Sequence, residues 1–133
     1  MIRITALKQS AEEWHLANDD SPFDHAAALR RTEGDAGLLS DLARIFLEDC
    51  PRLISKIRTA VSNAAPRQIE HAAHELKGCL GNFSAAPAFE AAERLEMLAR
   101  DGQIADAVTA ARQLEAELGR LHPALERLIT RPI

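Results

Sequence analysis

Apolar residues recur every three or four positions between Asp35 and Asn63, and this stripe constrains the fold more than any other feature of the chain. An α-helix brings such positions onto one side, so the stripe predicts a long helix that must bury that side against other elements. Asp35 can cap its first turn. Pro51 interrupts the helix, but the stripe continues in phase across it, which favours one kinked helix over two. The apolar positions are Leu38, Leu39, Leu42, Ile45, Phe46, Cys50, Leu53, Ile54, Ile57 and Val61.

A shorter helix is predicted before the long one. Ser21, Pro22 and Asp24 form a start signal in which the serine caps the helix, the proline occupies the first turn and the aspartate complements the positive helix end. The helix should run to about Arg31, and Gly34 can supply a left-handed exit.

Three further helices are predicted after the long one, which should end near Asn63. Pro66 and Pro87 each suit a first helical turn. The helix that Pro66 opens should end near Phe83, and the helix that Pro87 opens should end just before a glycine, Gly102. The last helix carries apolar residues at helical spacing, and a proline at position 123 should kink or end it.

These signals together predict an all-α fold: an antiparallel up-down-up-down four-helix bundle with one or two short helices at the N-terminus. Short connections favour antiparallel neighbours, and no alternating strand pattern or repeat competes. Residues 21–133 should form the bundle domain, and residues 1–20 an N-terminal extension that is partly helical or disordered. Ser10 to Glu13 has the form of a capping box, so a short helix and a frayed tail both stay open there.

Composition restricts the possible functions. Hydrophobic residues make up 47% and aromatic residues 4% of the 133 residues, so one domain with an aliphatic core is expected. No apolar run approaches the roughly 20 residues that span a bilayer, and no signal-peptide pattern is present, which predicts a cytoplasmic protein without membrane binding. The net charge of −4 weighs against nonspecific nucleic-acid binding. Cys50 and Cys79 have no metal-ligand or disulfide spacing, so buried free thiols are expected.

A polar face surrounds His74 in the helix that Pro66 opens. At about 100° per residue, the residues within roughly 60° of His74 are Arg67, Glu70, His71, Lys77, Gly78 and Gly81. The opposite side is apolar. Glycine costs about 1 kcal/mol against alanine inside a helix, so Gly78 and Gly81 suggest clearance for a close-approaching partner.

The pair His74 and Lys77 suits phosphoryl transfer. A neutral imidazole is a nucleophile near physiological pH, and its nitrogen can carry a phosphoryl group. Such transfer needs positioning and cations more than bond-making side chains, and the Lys77 ammonium can lie beside the ring. Both side chains are expected to point outward. One histidine and one lysine are therefore enough on this side, if a partner supplies the metal ion and the acidic residues.

The sequence from Ala73 to Ala85 resembles the signature of histidine-containing phosphotransfer (HPt) domains of two-component phosphorelays. Ala73-His74-Glu75-Leu76-Lys77-Gly78 and Asn82-Phe83-Ser84-Ala85 are similar to A-H-x-L-K-G followed by N-hydrophobic-G-A. The likeness extends to Gly34-Asp35 through Pro51 and to Leu95-Glu96…Arg100-Asp101-Gly102, and covers about residues 22–128. Serine stands at position 84 where glycine is more usual, which could alter that turn but not the transfer site.

The resemblance implies that His74 is the phosphoacceptor, that Lys77 neutralises the bound phosphoryl group, and that Gly78 leaves room for a receiver domain. It implies a phosphorelay intermediate without kinase activity, which accepts a phosphoryl group from one receiver aspartate and passes it to another. The implied partners are response-regulator receiver domains and a sensor or hybrid histidine kinase. No bound cofactor is expected, because Mg²⁺ belongs to the receiver.

The remaining residues of this face are predicted to border the partner-docking surface: Arg67, Glu70, His71 and Gly81. His71 and His74 stand at i and i+3, but two ligands make a poor metal site and no third is evident, so no metal is expected. Four helices that close their own core favour a monomer.

Other functions stay open from the sequence. The chain could be the phosphoacceptor domain of a chemotaxis-type or other histidine kinase, or a non-phosphorylated helical adaptor that binds a receiver domain. The dimerisation segment of histidine kinases also begins with His-Glu-Leu and a basic residue, but Gly78 stands where that motif usually continues Thr-Pro. The intact His74 and Lys77 argue against a degenerate adaptor.

Overall fold

The computed structural model describes residues 21–130, and within them the helices follow the predicted order. No strand occurs in this part of the chain, so the all-helical prediction is confirmed. The predicted capping box and short helix before Ser21 lie outside the described residues. The elements are α1 (His25–Arg31), α2 (Ala36–Ser62), α3 (Pro66–Leu80), a 3-10 turn (Gly81–Phe83), α4 (Ala86–Arg100) and α5 (Ile104–Thr130).

The four long helices contact one another in a ring, in which α2 packs on α3, α3 on α4, α4 on α5, and α5 on α2. The short α1 lies against α2 and the 3-10 turn. Burial of apolar side chains between the helices drives this packing, at about 1.5–3 kcal/mol for each large one. None of the helices within residues 21–130 combines the length and the apolar character needed to cross a membrane. The largest fully buried side chains are Phe83, Leu39, Leu53, Ile57, Ile69, Leu76, Leu80, Leu95, Leu114, Leu121 and Leu125.

The cap of α2 follows the sequence, whereas the start of α1 differs from it, because the helix begins at His25 and Pro22 lies before its first turn. Asp35 caps α2 as predicted, because its Oδ1 accepts the N–H of Leu38 at 2.9 Å. Asp24, rather than Ser21, caps α1, and its Oδ1 accepts the N–H of Ala27 at 3.1 Å. A capping oxygen reaches only the second or third helical N–H, and α1 begins too far from Ser21 for that contact.

Both internal prolines lie inside continuous helices, Pro51 in α2 and Pro123 in α5. The prediction of one helix through Pro51 is confirmed, whereas α5 does not end at Pro123. A proline removes one helical hydrogen bond, and here buried side chains on both sides of each proline hold the helix in place. For Pro123 these side chains are Leu121 and Ala124.

The stripe of α2 is not buried across its full width. Leu38 is 45% and Ile45 58% exposed, although both were predicted to face the core. At about 100° per residue they lie roughly 80–100° from Phe46, which is buried. They therefore lie at the edge of the stripe, which the neighbouring helices do not cover.

The turn after α3 is braced by α1. The helix ends at Leu80 and its last turn tightens into the 3-10 form, close to the predicted end at Phe83. Ser84 then takes a left-handed conformation with φ +52°, a conformation in which glycine is favoured. Its hydroxyl accepts a hydrogen bond from Arg31 Nε at 3.1 Å, and its carbonyl accepts one from the N–H of Asp24 at 3.1 Å.

Candidate functional site

His74 lies on the outer side of α3 with its ring held at one nitrogen. The side chain is 68% exposed, and Nδ1 lies 2.9 Å from Oε2 of Glu96 on α4. Because an ionised carboxylate can only accept a hydrogen bond, Nδ1–H is the donor. In the neutral ring this hydrogen bond selects the tautomer in which the second nitrogen, Nε2, carries the lone pair.

Glu96 is buried, and its carboxylate contacts the side chains of His74, Lys77 and Arg100. Its side chain is 6% exposed, its Oε1 lies 2.8 Å from Lys77 Nζ, and its Oε2 lies 3.1 Å from Arg100 Nη2. Burial raises the pKa of this carboxyl, but the bonds from Lys77 and His74 outweigh burial and hold the pKa below its ordinary value. The carboxylate beside His74 is therefore ionised at neutral pH.

The sequence predicts no role for Glu96 or Arg100, although both residues stand in a segment that resembles the family. A signal was present, since Glu96 lies between Leu95 and Ala99 on the inward side of α4. Glutamate is almost never fully buried unless it is paired. Its partners could not be inferred, because they lie on α3 and depend on how the two helices pack.

The Lys77 side chain does not point outward, which corrects the prediction. It is 20% exposed, its ammonium pairs with Glu96, and Nζ lies 5.9 Å from the centre of the Phe89 ring. Lys77 lies about 60° from His74 around the helix, on the side that α4 covers. The ammonium thus shares one carboxylate with His74, and the cation is held beside the imidazole.

The other polar residues of this face of α3 differ in their exposure. Glu70 is half-buried and its Oε2 accepts from Arg100 Nε at 2.9 Å. Arg67 and His71 are exposed. A surface depression brings all of these residues together with the phosphoacceptor candidate; its lining is Arg67, Glu70, His71, His74, Glu96 and Arg100.

Only one of the two glycines faces open space. Gly78 is exposed, and a Cβ built there would meet nothing within 4 Å, so packing does not require glycine at this position. Gly81 is half-buried and ends α3, and a Cβ there would lie 3.9 Å from the Phe89 ring. Gly78 therefore borders open space, whereas Gly81 borders the Phe89 ring at an ordinary contact distance.

The two cysteines are free thiols, with Cys50 buried and Cys79 half-buried. Burial raises the pKa of both, which keeps them protonated. Within residues 21–130, no three histidine, cysteine or acidic side chains are grouped so that they could hold a metal ion.

Residues 21–130 thus form an all-helical domain in which an exposed histidine is hydrogen-bonded to a buried carboxylate. The family model of the Hpt domain matches residues 41–124. The chain therefore belongs to the Hpt family, and its role is histidine phosphotransfer in a phosphorelay.

A solved structure shows the same fold. It is histidine-containing phosphotransfer protein B (HptB) from Pseudomonas aeruginosa PAO1, which is similar to this chain with a TM-score of 0.77 and 20% sequence identity. The match covers 84% of this chain and 97% of that one. No match was found among curated proteins.

Proposed function

We propose that His74 accepts a phosphoryl group from the aspartate of one receiver domain and passes it to the aspartate of another. The observation that carries this proposal is the 2.9 Å hydrogen bond between Nδ1 of His74 and buried Glu96, on a side chain that is 68% exposed. The carboxylate holds the ring in the tautomer that leaves Nε2 nucleophilic, and exposure leaves that nitrogen accessible.

The proposed step is an in-line displacement at phosphorus. The lone pair of Nε2 forms the N–P bond while the P–O bond to the receiver aspartate breaks, and the aspartate leaves as a carboxylate with the electron pair. Nδ1 keeps its proton throughout. Glu96 stabilises the positive charge that develops on the ring, as a preorganised anion beside it. Transfer to the second receiver is the same step in reverse.

Lys77 is proposed to neutralise the phosphoryl group. Its ammonium is held on the α4 side of His74 by Glu96, the same carboxylate that binds the His74 ring. Gly78 is proposed to admit the receiver surface, because the space above it is open. Mg²⁺ is expected on the receiver, where it would offset phosphoryl charge during transfer.

The proposal extends to the arrangement of the helices. The ring of contacts and the short connections support an antiparallel up-down-up-down bundle. A domain over residues 21–133, a monomeric state, a cytoplasmic location and the lack of nucleic-acid binding stay predictions.

The test is phosphate transfer from a radiolabelled, phosphorylated receiver domain in the presence of Mg²⁺. The wild type should acquire an acid-labile, base-stable label, and His74→Gln should acquire none. His122→Gln, which removes an exposed histidine on α5, is the matched control and should be labelled like the wild type. Labelling of His74→Gln at the wild-type level would show that another residue is the acceptor.

A further inference from the structure

We propose that the Arg67 guanidinium and the His71 ring form an anchor of hydrogen-bond donors that binds carboxylate groups on the receiver domain and orients it over His74. The inference rests on the proposed function and adds a specificity determinant to it. These two side chains form the Arg67–His71 ridge, and their proposed binding of the receiver is the anchor.

The first observation is that, among the residues that the structure describes, Arg67 has no ion pair on a face whose other cations are paired. Arg52 and Lys56 on α2 both bind Glu75 of α3, at 3.1 and 2.8 Å. Lys77 binds Glu96, and Arg100 binds both Glu70 and Glu96. Arg67 is exposed and has no ion pair among the described residues 21–130.

The second observation is the position of the ridge. Arg67, His71 and His74 stand at i, i+4 and i+7 on α3, so they share one side of the helix, and Arg67 lies about 10 Å along the axis from His74. The ridge borders two depressions. One lies between α2 and α3 and includes Arg52 and Lys56, and the other contains His74. A partner seated over His74 therefore covers the ridge.

The chemistry of the partner supplies the complementary charge. A domain that holds Mg²⁺ through carboxylates presents carboxylate oxygens around its transfer site, and a guanidinium binds such oxygens. Because Arg67 has no ion pair within residues 21–130, it can bind them without first giving up a partner in this part of the chain. The open space at Gly78 lies on the other side of His74 along α3. With Arg67 on one side of His74 and Gly78 on the other, the carboxylate groups of the receiver lie over Arg67. The receiver comes closest to the backbone of α3 at Gly78.

The experiment measures the Kd of a receiver domain for this protein in Mg²⁺ at low and high salt. The probe is the receiver that exchanges phosphate with the wild type, used unphosphorylated. Arg67→Glu should weaken binding by about 10- to 100-fold at low salt and Arg67→Ala by about 3- to 10-fold, with smaller effects at high salt. His71→Ala should weaken binding by about 3- to 10-fold, as expected for the loss of one hydrogen bond.

Arg112→Glu is the matched control. It makes the same change in net charge at an exposed arginine on α5, a helix that packs against α2 and α4. Its Kd should change by less than about twofold. Equal effects of Arg67→Glu and Arg112→Glu would overturn the anchor, because they would reflect net charge alone.

A small phosphodonor separates the anchor from the proposed function. Phosphoramidate needs no docking surface, so it should phosphorylate Arg67→Glu and the wild type at the same rate. A wild type that gains phosphate from neither donor would contradict the proposed function, and the anchor with it. A wild type that gains phosphate, with Arg67→Glu binding the receiver normally, would contradict the anchor alone.

Discussion

At the scale of single residues, His74 differs from its neighbour His71 by one contact. Both histidines are exposed on α3, but only His74 is hydrogen-bonded to a buried carboxylate. The polar face and the family resemblance predict His74 as the phosphoacceptor from the sequence. Its contact with Glu96 was not predictable, because Glu96 reaches it from another helix.

Replacing Glu96 tests whether the carboxylate prepares the ring. Glu96→Gln keeps the shape but removes the charge, and Glu96→Ala also removes the acceptor of the Nδ1–H bond. The loss of a charged hydrogen bond of about 1.5–3 kcal/mol predicts transfer that is about 10- to 100-fold slower for Glu96→Ala, with Glu96→Gln intermediate. The measurement is the single-turnover rate from a phosphorylated receiver at saturating receiver concentration.

Glu93→Gln is the control for this series, since Glu93 is an exposed glutamate on the same helix. It should transfer at the wild-type rate. Wild-type transfer by Glu96→Ala would mean that the ring needs no carboxylate to react.

At the scale of the elements, sequence patterns predicted the helices well and their edges less well. The stripe of α2, the cap at Asp35 and the first-turn prolines of α3 and α4 all have local physical causes that the sequence displays. The exposure of Leu38 and Ile45 and the inward position of Lys77 have no local cause. They depend on which edge of each helix a neighbour covers, and that is decided by packing.

Replacing Gly78 tests whether glycine at this position lowers the stability of α3 but leaves room for the receiver domain. Gly78→Ala meets no steric obstacle, and it should stabilise the protein by up to about 1 kcal/mol, because alanine is the better helix former. The same change should slow transfer from the receiver, since the added methyl group lies where the partner approaches. The measurements are chemical denaturation and the rate of transfer at subsaturating receiver concentration.

Gly119→Ala is the matched control, because Gly119 lies inside α5 and a Cβ there also meets nothing within 4 Å. It should stabilise the protein equally and leave transfer unchanged. If Gly78→Ala transferred as fast as Gly119→Ala, the glycine would not serve docking.

At the scale of the whole molecule, ion pairs join long helices that are neighbours in the fold. Glu75 of α3 binds α2, Glu96 of α4 binds α3, and Glu115 of α5 binds Arg58 of α2. Bonds from Lys56 and from Arg58 lower the pKa of Glu75 and Glu115, respectively, and the pKa of Glu96 is also lowered, despite burial. All three carboxylates therefore favour the folded state when they are ionised.

These shifts predict loss of stability in acid. Because the folded-state pKa lies below the ordinary value of 4.5, the unfolded chain binds more protons as the pH falls. The stabilisation is complete above about pH 4.5–5 and is lost as the pH falls through the lower, folded-state pKa. Denaturation from about pH 3 to 7 should show a steeper loss for the wild type and Glu93→Gln than for Glu96→Gln. Identical pH profiles for all three proteins would mean that Glu96 is not stabilised by its partners.

The most direct test of the central claim locates the phosphoryl group on the ring. Protein with ¹⁵N-labelled histidine is phosphorylated by a receiver domain, and ³¹P–¹⁵N couplings identify the nitrogen that is bonded to phosphorus. The structure predicts phosphorus on Nε2 of His74, with Nδ1 still protonated and hydrogen-bonded to Glu96. Phosphorus on Nδ1, or on any other residue, would contradict the account.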